Sequence, residues 1–218
     1  MENIKIAPSV LSADFSAMGA AAEKLEKCGA DWVHCDVMDG SFVPKITFGA
    51  DMVAAIGRHT SLPLDVHLMI VHPEKHIETF AEAGASVITV HHEACGADLK
   101  NVLKRIAAAG VRAGAVINPD TPLKEVYGCL DYCDMLLVMS VFPGLGGQKF
   151  IESVLPKVEE ARKIFDGQGV FKDIEIDGGV GEQNVRRVKE AGANVIVAGS
   201  SVFGAADMKK AIENLRSL

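Results

Sequence analysis

Short apolar runs alternate with longer amphipathic runs along the whole chain. The short ones are IKIAPS, WVHCDVM, LDVHLM, SVITVH, RAGAVI, MLLVMSV, DIEID and NVIVAG. Each is too brief for a free-standing helix and most are rich in β-branched residues, so each predicts a strand. Between them AAAEKLEKCGA, PEKHIETFAEAGA, LKNVLKRIAAAG and EQNVRRVKEAGA place apolar residues at helical spacing. Three helical runs close with a Gly-Ala pair: Gly29-Ala30, Gly84-Ala85 and Gly192-Ala193. Glycine just past a helix end supplies the left-handed cap. Strands that alternate with helices pair in parallel through crossover connections. Eight such units predict an α/β fold, a (β/α)8 TIM barrel, with an open doubly wound sheet as the alternative. With no linker, charge block or low-complexity segment, residues 1–218 read as a single domain.

In such a barrel the chemistry sits at the carboxyl ends of the strands. Side chains on a strand alternate between two faces. In WVHCDVM the polar set His34, Asp36 and Met38 shares one face, and Val33, Cys35 and Val37 the other. LDVHLM repeats this with Asp65, His67 and Met69 against Val66, Leu68 and Ile70. DIEID does so again with Glu175 and Asp177 against Ile174 and Ile176. The apolar sets suit packing under helices, which turns the polar sets inward. An imidazole or carboxylate inside a barrel is costly unless paired or metal-bound. His34, Asp36, His67 and Asp177 offer two nitrogens and two oxygens, a donor set suited to Zn, Fe(II), Mn or Co rather than Ca or Mg. The other reading is a buried hydrogen-bond network. Two carboxylates at one metal also suit inversion of a carbon next to a carbonyl, one removing a proton and the other returning one. Met38, Met69 and Met139 each end a strand, as core filler or as a soft apolar wall around a reacting carbon.

The remaining histidines say less. His72 and His76 in HPEKH sit four apart, but Glu74 is misplaced for a HExxH site, and Pro73 makes His72 the residue before a helix. His59 falls in a loop. His91 shares a face with Thr89, either rimming the site or packed structurally, and His92 has the opposite parity.

Composition narrows the classes. A chain of 218 residues with 49% hydrophobic and 23% charged residues suits one globular domain. A formal net charge of -7 argues against nucleic-acid or anionic-membrane partners. MENIKIAPSV lacks the apolar core of a signal peptide, and no apolar run approaches the ~20 residues of a membrane helix. Five scattered Cys without CxxC pairs read as reduced thiols in a cytoplasm.

Three glycine-rich turns follow the last three predicted strands: GLGG at 144–147, DGGV at 177–180 and AGSS at 198–201. Barrel loops after strands 7 and 8 commonly hold phosphate, helped by a helix N-terminus. Ser200 or Ser201 is placed to cap the final helix, SVFGAADMKKAIENL. GLGGQK has neither the G-x-G-x-x-G spacing of a dinucleotide loop nor the Gly-Lys-Ser/Thr of a Walker loop, so no nucleotide cofactor is expected.

APSVLSADF, VHCDVMDGSFVPKITFG, LDVHLM, VITVHHEA, GAVINPDTP, VMSVFPGLGGQKF, EIDGGV and AGSSVFG together closely resemble the ribulose-phosphate 3-epimerases, in order and over essentially the whole chain. The resemblance implies the same barrel and an isomerase of the pentose phosphate pathway and carbohydrate metabolism. Such an enzyme interconverts D-ribulose 5-phosphate and D-xylulose 5-phosphate through a metal-stabilised enediolate. Asp36 and Asp177 then match the acid–base pair, and His34, Asp36, His67 and Asp177 the ligands of one divalent metal ion. Ser9, His67, Met38, Met69, Met139, Gly144, Leu145, Gly146, Gly147, Gly178, Gly179, Gly199 and Ser200 match the substrate and phosphate contacts. The implied partner is a phosphorylated ketose, and a homo-oligomer is compatible with it. The chain departs from the family's N-P-G-F-G-G-Q with F-P-G-L-G-G-Q, placing Phe142 and Leu145 where substrate length is set. The related allulose-6-phosphate 3-epimerases are therefore an alternative. A related lyase would need a D-x-K-x-x-D pattern, absent from HCDVMDG. A noncatalytic sugar-phosphate-binding barrel would not need two opposed carboxylates.

Overall fold

The computed structural model describes residues 4–218. Its strands are β1 (Lys5–Ala7), β2 (Val33–Met38), β3 (Leu64–Met69), β4 (Ala85–His91), β5 (Arg112–Ile117), β6 (Met135–Met139), β7 (Asp173–Asp177) and β8 (Val195–Val197). All the sheet pairings are parallel, in the order β1-β8-β7-β6-β5-β4-β3-β2. A parallel bridge between Ser9 and His34 joins the two ends of this order. Neighbours in space are neighbours in sequence all the way round, the order of a TIM barrel, whereas a doubly wound sheet reverses its strand order.

The predicted alternation holds along the strands. Val33, Cys35, Val37, Val66, Leu68, Ile70, Ile174 and Ile176 join the large apolar core that packs with the helix residues. Their alternates point into the barrel, where they stack in layers. Ala7, Trp32, Val87, Met135, Val195 and Val197 form a separate apolar layer. Below it, at the strands' amino ends, Asp173 accepts hydrogen bonds from Lys5 at 2.7 Å, Arg112 at 2.6 Å and Asn194 at 2.6 Å. Lys5 and Arg112 also lie over the Trp32 ring, 4.9 and 5.5 Å from its centre. Among the described residues these side chains fill the barrel interior at its amino end.

Gly29, Gly84 and Gly192 follow their helices with φ of 83°, 94° and 110°, as the Gly-Ala pairs predicted. Two segments depart from the simple repeat. Between β5 and β6 the chain forms 3-10 turns over Leu123–Tyr132 instead of an α-helix, with Gly128 weakening any helix there. The predicted final helix is two: Ser200–Phe203, with Gly199 at its N-cap, and Met208–Ser217, capped by Asp207. Gly204 ends the first, so neither Ser200 nor Ser201 caps the last helix; Ser201 Oγ instead donates to the Val180 carbonyl at 2.9 Å. Among the described residues all five cysteines are free, and no helix is long and apolar enough to cross a membrane.

Candidate active site and metal centre

The register that pairs β2 with β3 sets His34 opposite Asp65 and Asp36 opposite His67. On the far side of the barrel, β7 ends on Asp177, whose carbonyl is fixed by the Ser140 N–H at 2.7 Å. The result is a four-membered cluster. One donor atom each from His34, Asp36, His67 and Asp177 lies within 4.8 Å of all the others. His34 Nε2 is 3.4 Å from Asp36 Oδ1 and 3.9 Å from Asp177 Oδ2. His67 Nδ1 is 3.3 Å from Asp36 Oδ1 and 3.8 Å from Asp177 Oδ2.

The donor set fits a divalent cation. Both facing nitrogens, His34 Nε2 and His67 Nδ1, are buried without a hydrogen-bond partner, a costly state for a polar atom unless something else satisfies it. Tetrahedral coordination with bonds of about 2.0–2.1 Å spaces ligand atoms about 3.3 Å apart. The Asp36 contacts already have that spacing and the Asp177 contacts are looser. The opposite nitrogen of His34, Nδ1, meets Asp65 Oδ2 at 2.6 Å. A carboxylate behind a histidine in this way fixes which nitrogen faces forward.

The electrostatics separate the two aspartates. Burial pushes the Asp36 carboxyl up, but His34 and His67 outweigh it and hold the group below the ordinary range. Asp36 Oδ2 also accepts the Ser9 hydroxyl hydrogen. Among the described residues the Asp177 carboxylate receives no comparable hydroxyl, and the nearby His34 charge does not offset what raises it. Burial, then the Asp36 charge, push it up to about 7. Without a metal, the two carboxyls are therefore pushed in opposite directions, Asp36 toward the ionised form and Asp177 toward the acid. Burial pushes His34 down, yet the carboxylates of Asp36 and Asp65 raise it well above its usual value, so a cation entering here would displace a proton. Burial lowers His67 to about 4. Beneath them, burial and the Asp65 charge push Glu175 well above the carboxylate range.

Above the cluster opens a cleft of about 500 Å³. Its lining includes Ser9, Asp36, Met38, Met69, Met139, Asp177 and all the glycine-loop positions singled out in the sequence: Gly144, Leu145, Gly146, Gly147, Gly178, Gly179, Gly199 and Ser200. His34 and His67 lie fully buried at its base. Among the described residues no Lys or Arg lines it. An anion at the rim would thus meet backbone N–H groups and serine hydroxyls rather than side-chain cations. The helix beginning at Ser200 has only four residues, too few aligned peptides for much of a dipole. Gln148 Nε2 ties the loop together by donating to the Phe142 and Leu145 carbonyls at 2.7 and 2.9 Å. Leu145 borders the cleft, whereas Phe142, 50% exposed, is not part of its lining.

Sequence reasoning left His91 open and did not single out Glu93, Thr121 or Phe42. His91 is fully buried against the site: its Nε2 is 2.8 Å from His67 Nε2, and its Nδ1 is 3.2 Å from Glu93 Oε2. Phe42 covers the His91 ring at 4.8 Å between centres. Burial lowers His91. Burial pushes Glu93 up, but hydrogen bonds from His91, Thr121 and Asn118 outweigh it and hold the carboxyl down to about 2. The HPEKH histidines take no part; exposed His72 pairs with Glu74 at 3.3 Å.

Comparison with known proteins gives the family. The ribulose-phosphate 3 epimerase family profile matches residues 5–203. The chain is 52% identical over 215 residues to the ribulose-phosphate 3-epimerase of Bacillus subtilis strain 168, covering 98% of each. It is 51% identical over 217 residues to that of Synechocystis, covering 99% of this chain and 94% of the relative. A crystal structure of 3-hexulose-6-phosphate synthase superposes with a TM-score of 0.70 at 20% identity, over 99% of both chains, a likeness of fold alone. With the profile spanning nearly all of the barrel and relatives matched almost end to end, the chain belongs to the ribulose-phosphate 3-epimerase family.

Proposed function

We propose that this chain is an isomerase that interconverts D-ribulose 5-phosphate and D-xylulose 5-phosphate by moving a proton at C3 between Asp36 and Asp177, within one domain over residues 1–218. The observation that supports this most is the convergence of two carboxylates on one donor cluster at the floor of the cleft, in surroundings that lower Asp36 and raise Asp177. Two titratable groups whose surroundings push their pKa values apart are the mark of an acid–base pair.

In one direction the ionised Asp36 takes the C3 proton, and the bonding pair moves into the C2–C3 bond and onto the C2 oxygen as an enediolate. Asp177, as the carboxylic acid, then returns a proton to the opposite face of C3. That leaves the epimer, a protonated Asp36 and an ionised Asp177, the state from which the reverse reaction starts. Ser9 holds Asp36 by donating to Oδ2, leaving Oδ1 toward the cluster. Met38, Met69 and Met139 give the carbon an apolar surround that keeps competing water away. The N–H groups of Gly144 to Gly147, Gly178, Gly179 and Gly199, with the Ser200 hydroxyl, form a neutral cup for the phosphate.

His34 Nε2, Asp36 Oδ1, His67 Nδ1 and Asp177 Oδ2 would hold one divalent ion of the Zn, Fe(II), Mn or Co class. Such an ion supplies positive charge that stabilises the enediolate.

The test is kcat/KM of metal-loaded protein for D-ribulose 5-phosphate against D-allulose 6-phosphate. The pentulose phosphate is expected to be preferred. A tenfold preference for the hexulose phosphate would overturn the substrate assignment while leaving the two-carboxylate chemistry standing.

A further inference from the structure

We propose that Glu93, acting through His91, is a positioning residue that holds His67 in the tautomer whose bare Nδ1 faces Asp36 and Asp177. The inference rests on the metal-centre reading above and concerns how this chain prepares one of its ligands.

His67 and His91 meet nitrogen to nitrogen, Nε2 to Nε2 at 2.8 Å, with rings stacked 5.0 Å apart and 22° from parallel. One proton fits between them, and nothing in the pair itself decides which ring owns it. The decision is made one residue further out. His91 Nδ1 lies 3.2 Å from Glu93 Oε2. The other oxygen, Glu93 Oε1, accepts the Asn118 N–H at 2.9 Å and the Thr121 hydroxyl hydrogen. With two donors aimed at one oxygen, Glu93 is an acceptor-only carboxylate, so His91 Nδ1 carries a hydrogen and donates it.

The rest follows by counting hydrogens. A neutral imidazole has one N–H. With that hydrogen on Nδ1, His91 Nε2 is bare and accepts from His67 Nε2–H. His67 Nδ1 is then bare as well, and it is one of the buried nitrogens without a hydrogen-bond partner. Were the chain of bonds reversed, His67 would aim an N–H at the cluster and shut out a cation. Asp65 does for His34 directly, at 2.6 Å, what Glu93 does for His67 through an intervening imidazole. The two ligands consequently present different nitrogens, Nε2 from His34 and Nδ1 from His67.

The loop that aims Glu93 is itself pinned. Lys157 Nζ donates to the carbonyls of Asn118, Pro119 and Thr121 at 3.0, 2.6 and 2.8 Å. The donors that fix Glu93 thus sit on a segment clamped from behind.

Glu93→Gln tests the relay. Its single carbonyl oxygen is claimed by Asn118 N–H and Thr121, which turns the amide NH2 toward His91 Nδ1 and reverses each bond down to His67. Zn2+ affinity, measured by chelator competition, is expected to fall on the order of 10–100-fold, the size found when partners behind a ligating histidine are removed. The Tm of the metal-free protein should change little. In 15N-histidine NMR of metal-free protein at neutral pH, His67 is expected to be protonated at Nε2 in the wild type and at Nδ1 in the variant. Zn2+ affinity within threefold of wild type would overturn the proposal. So would a wild-type spectrum with His67 protonated at Nδ1, a result that needs no variant to fold. Wild-type protein that takes up no Zn2+ would instead overturn the metal-centre reading on which the proposal stands.

Discussion

Gly179 offers the most direct probe of the phosphate cup. Its φ is +64°, a left-handed conformation that costs an alanine about 1 kcal/mol or more. A Cβ built there would lie 2.6 Å from Phe150 N, 2.7 Å from Gln148 O and 3.0 Å from Phe150 Cα. All three are backbone atoms, so no side chain can swing aside. Asn184 Nδ2 holds the Gly179 carbonyl at 3.0 Å, which pins the β7 side. The Gln148–Phe150 segment must therefore retreat by about 0.8 Å to reach ordinary contact, and Gly144–Gly147 moves with it. A misplacement near 1 Å costs on the order of 10²-fold in rate, about 2.7 kcal/mol of transition-state binding. Gly179→Ala is thus expected to lower kcat/KM for ribulose 5-phosphate on the order of 10²-fold. The assay compares this with free D-ribulose, which has no phosphate to seat, and there the loss should be severalfold at most. Equal losses on both ketoses would mean that the strain reaches the carboxylates. No loss on either would refute the cup.

Chelator-treated protein is expected to lose most of its epimerase activity and regain it with Zn, Mn, Co or Fe(II); full activity in the treated protein would count against the metal centre. Ion binding to the folded state alone should also raise Tm with metal concentration, readable by calorimetry. At the amino end of the barrel, burial raises the Asp173 carboxyl, but Lys5, Arg112 and Asn194 outweigh it and leave the group below its ordinary value. A depressed folded-state pKa contributes stability that is full above the unfolded value of about 3.9 and is lost as pH falls through the folded one. Asp173→Asn is expected to cost about 1–3 kcal/mol at pH 7 and to flatten the acid limb of stability against pH, measured by urea unfolding; an unchanged acid limb would contradict this.

The strands and their inward faces were legible because a strand repeats every two residues whatever surrounds it. That one rule placed His34, Asp36, His67 and Asp177 at a common site. It stopped at His91, where the chain turns into the short helix His92–Cys95. Glu93 two residues on no longer follows strand parity, and its partners Asn118 and Thr121 come from a different unit. The splitting of the last helix was hidden for a similar reason. SVFGAADMKKAIENL has apolar residues enough for one helix, but Gly204, a weak helix former, and the Asp207 cap divide it. Phe142 and Leu145 read alike as departures from the family pattern and both are exposed, yet Leu145 lines the cleft and Phe142 does not. Local sequence does not encode which way a loop residue faces.

In the proposed reaction two carboxylates work on opposite faces of one carbon. Exchange of the C3 hydrogen in D2O tests it with each epimer in turn. Asp36→Asn and Asp177→Asn should each slow interconversion by about 10²–10⁴-fold. Each variant should nevertheless wash deuterium into C3 of one epimer, the one whose proton faces the remaining carboxylate, and the two variants should choose opposite epimers. Exchange by one variant from both epimers, or the same epimer labelled by both variants, would contradict the account.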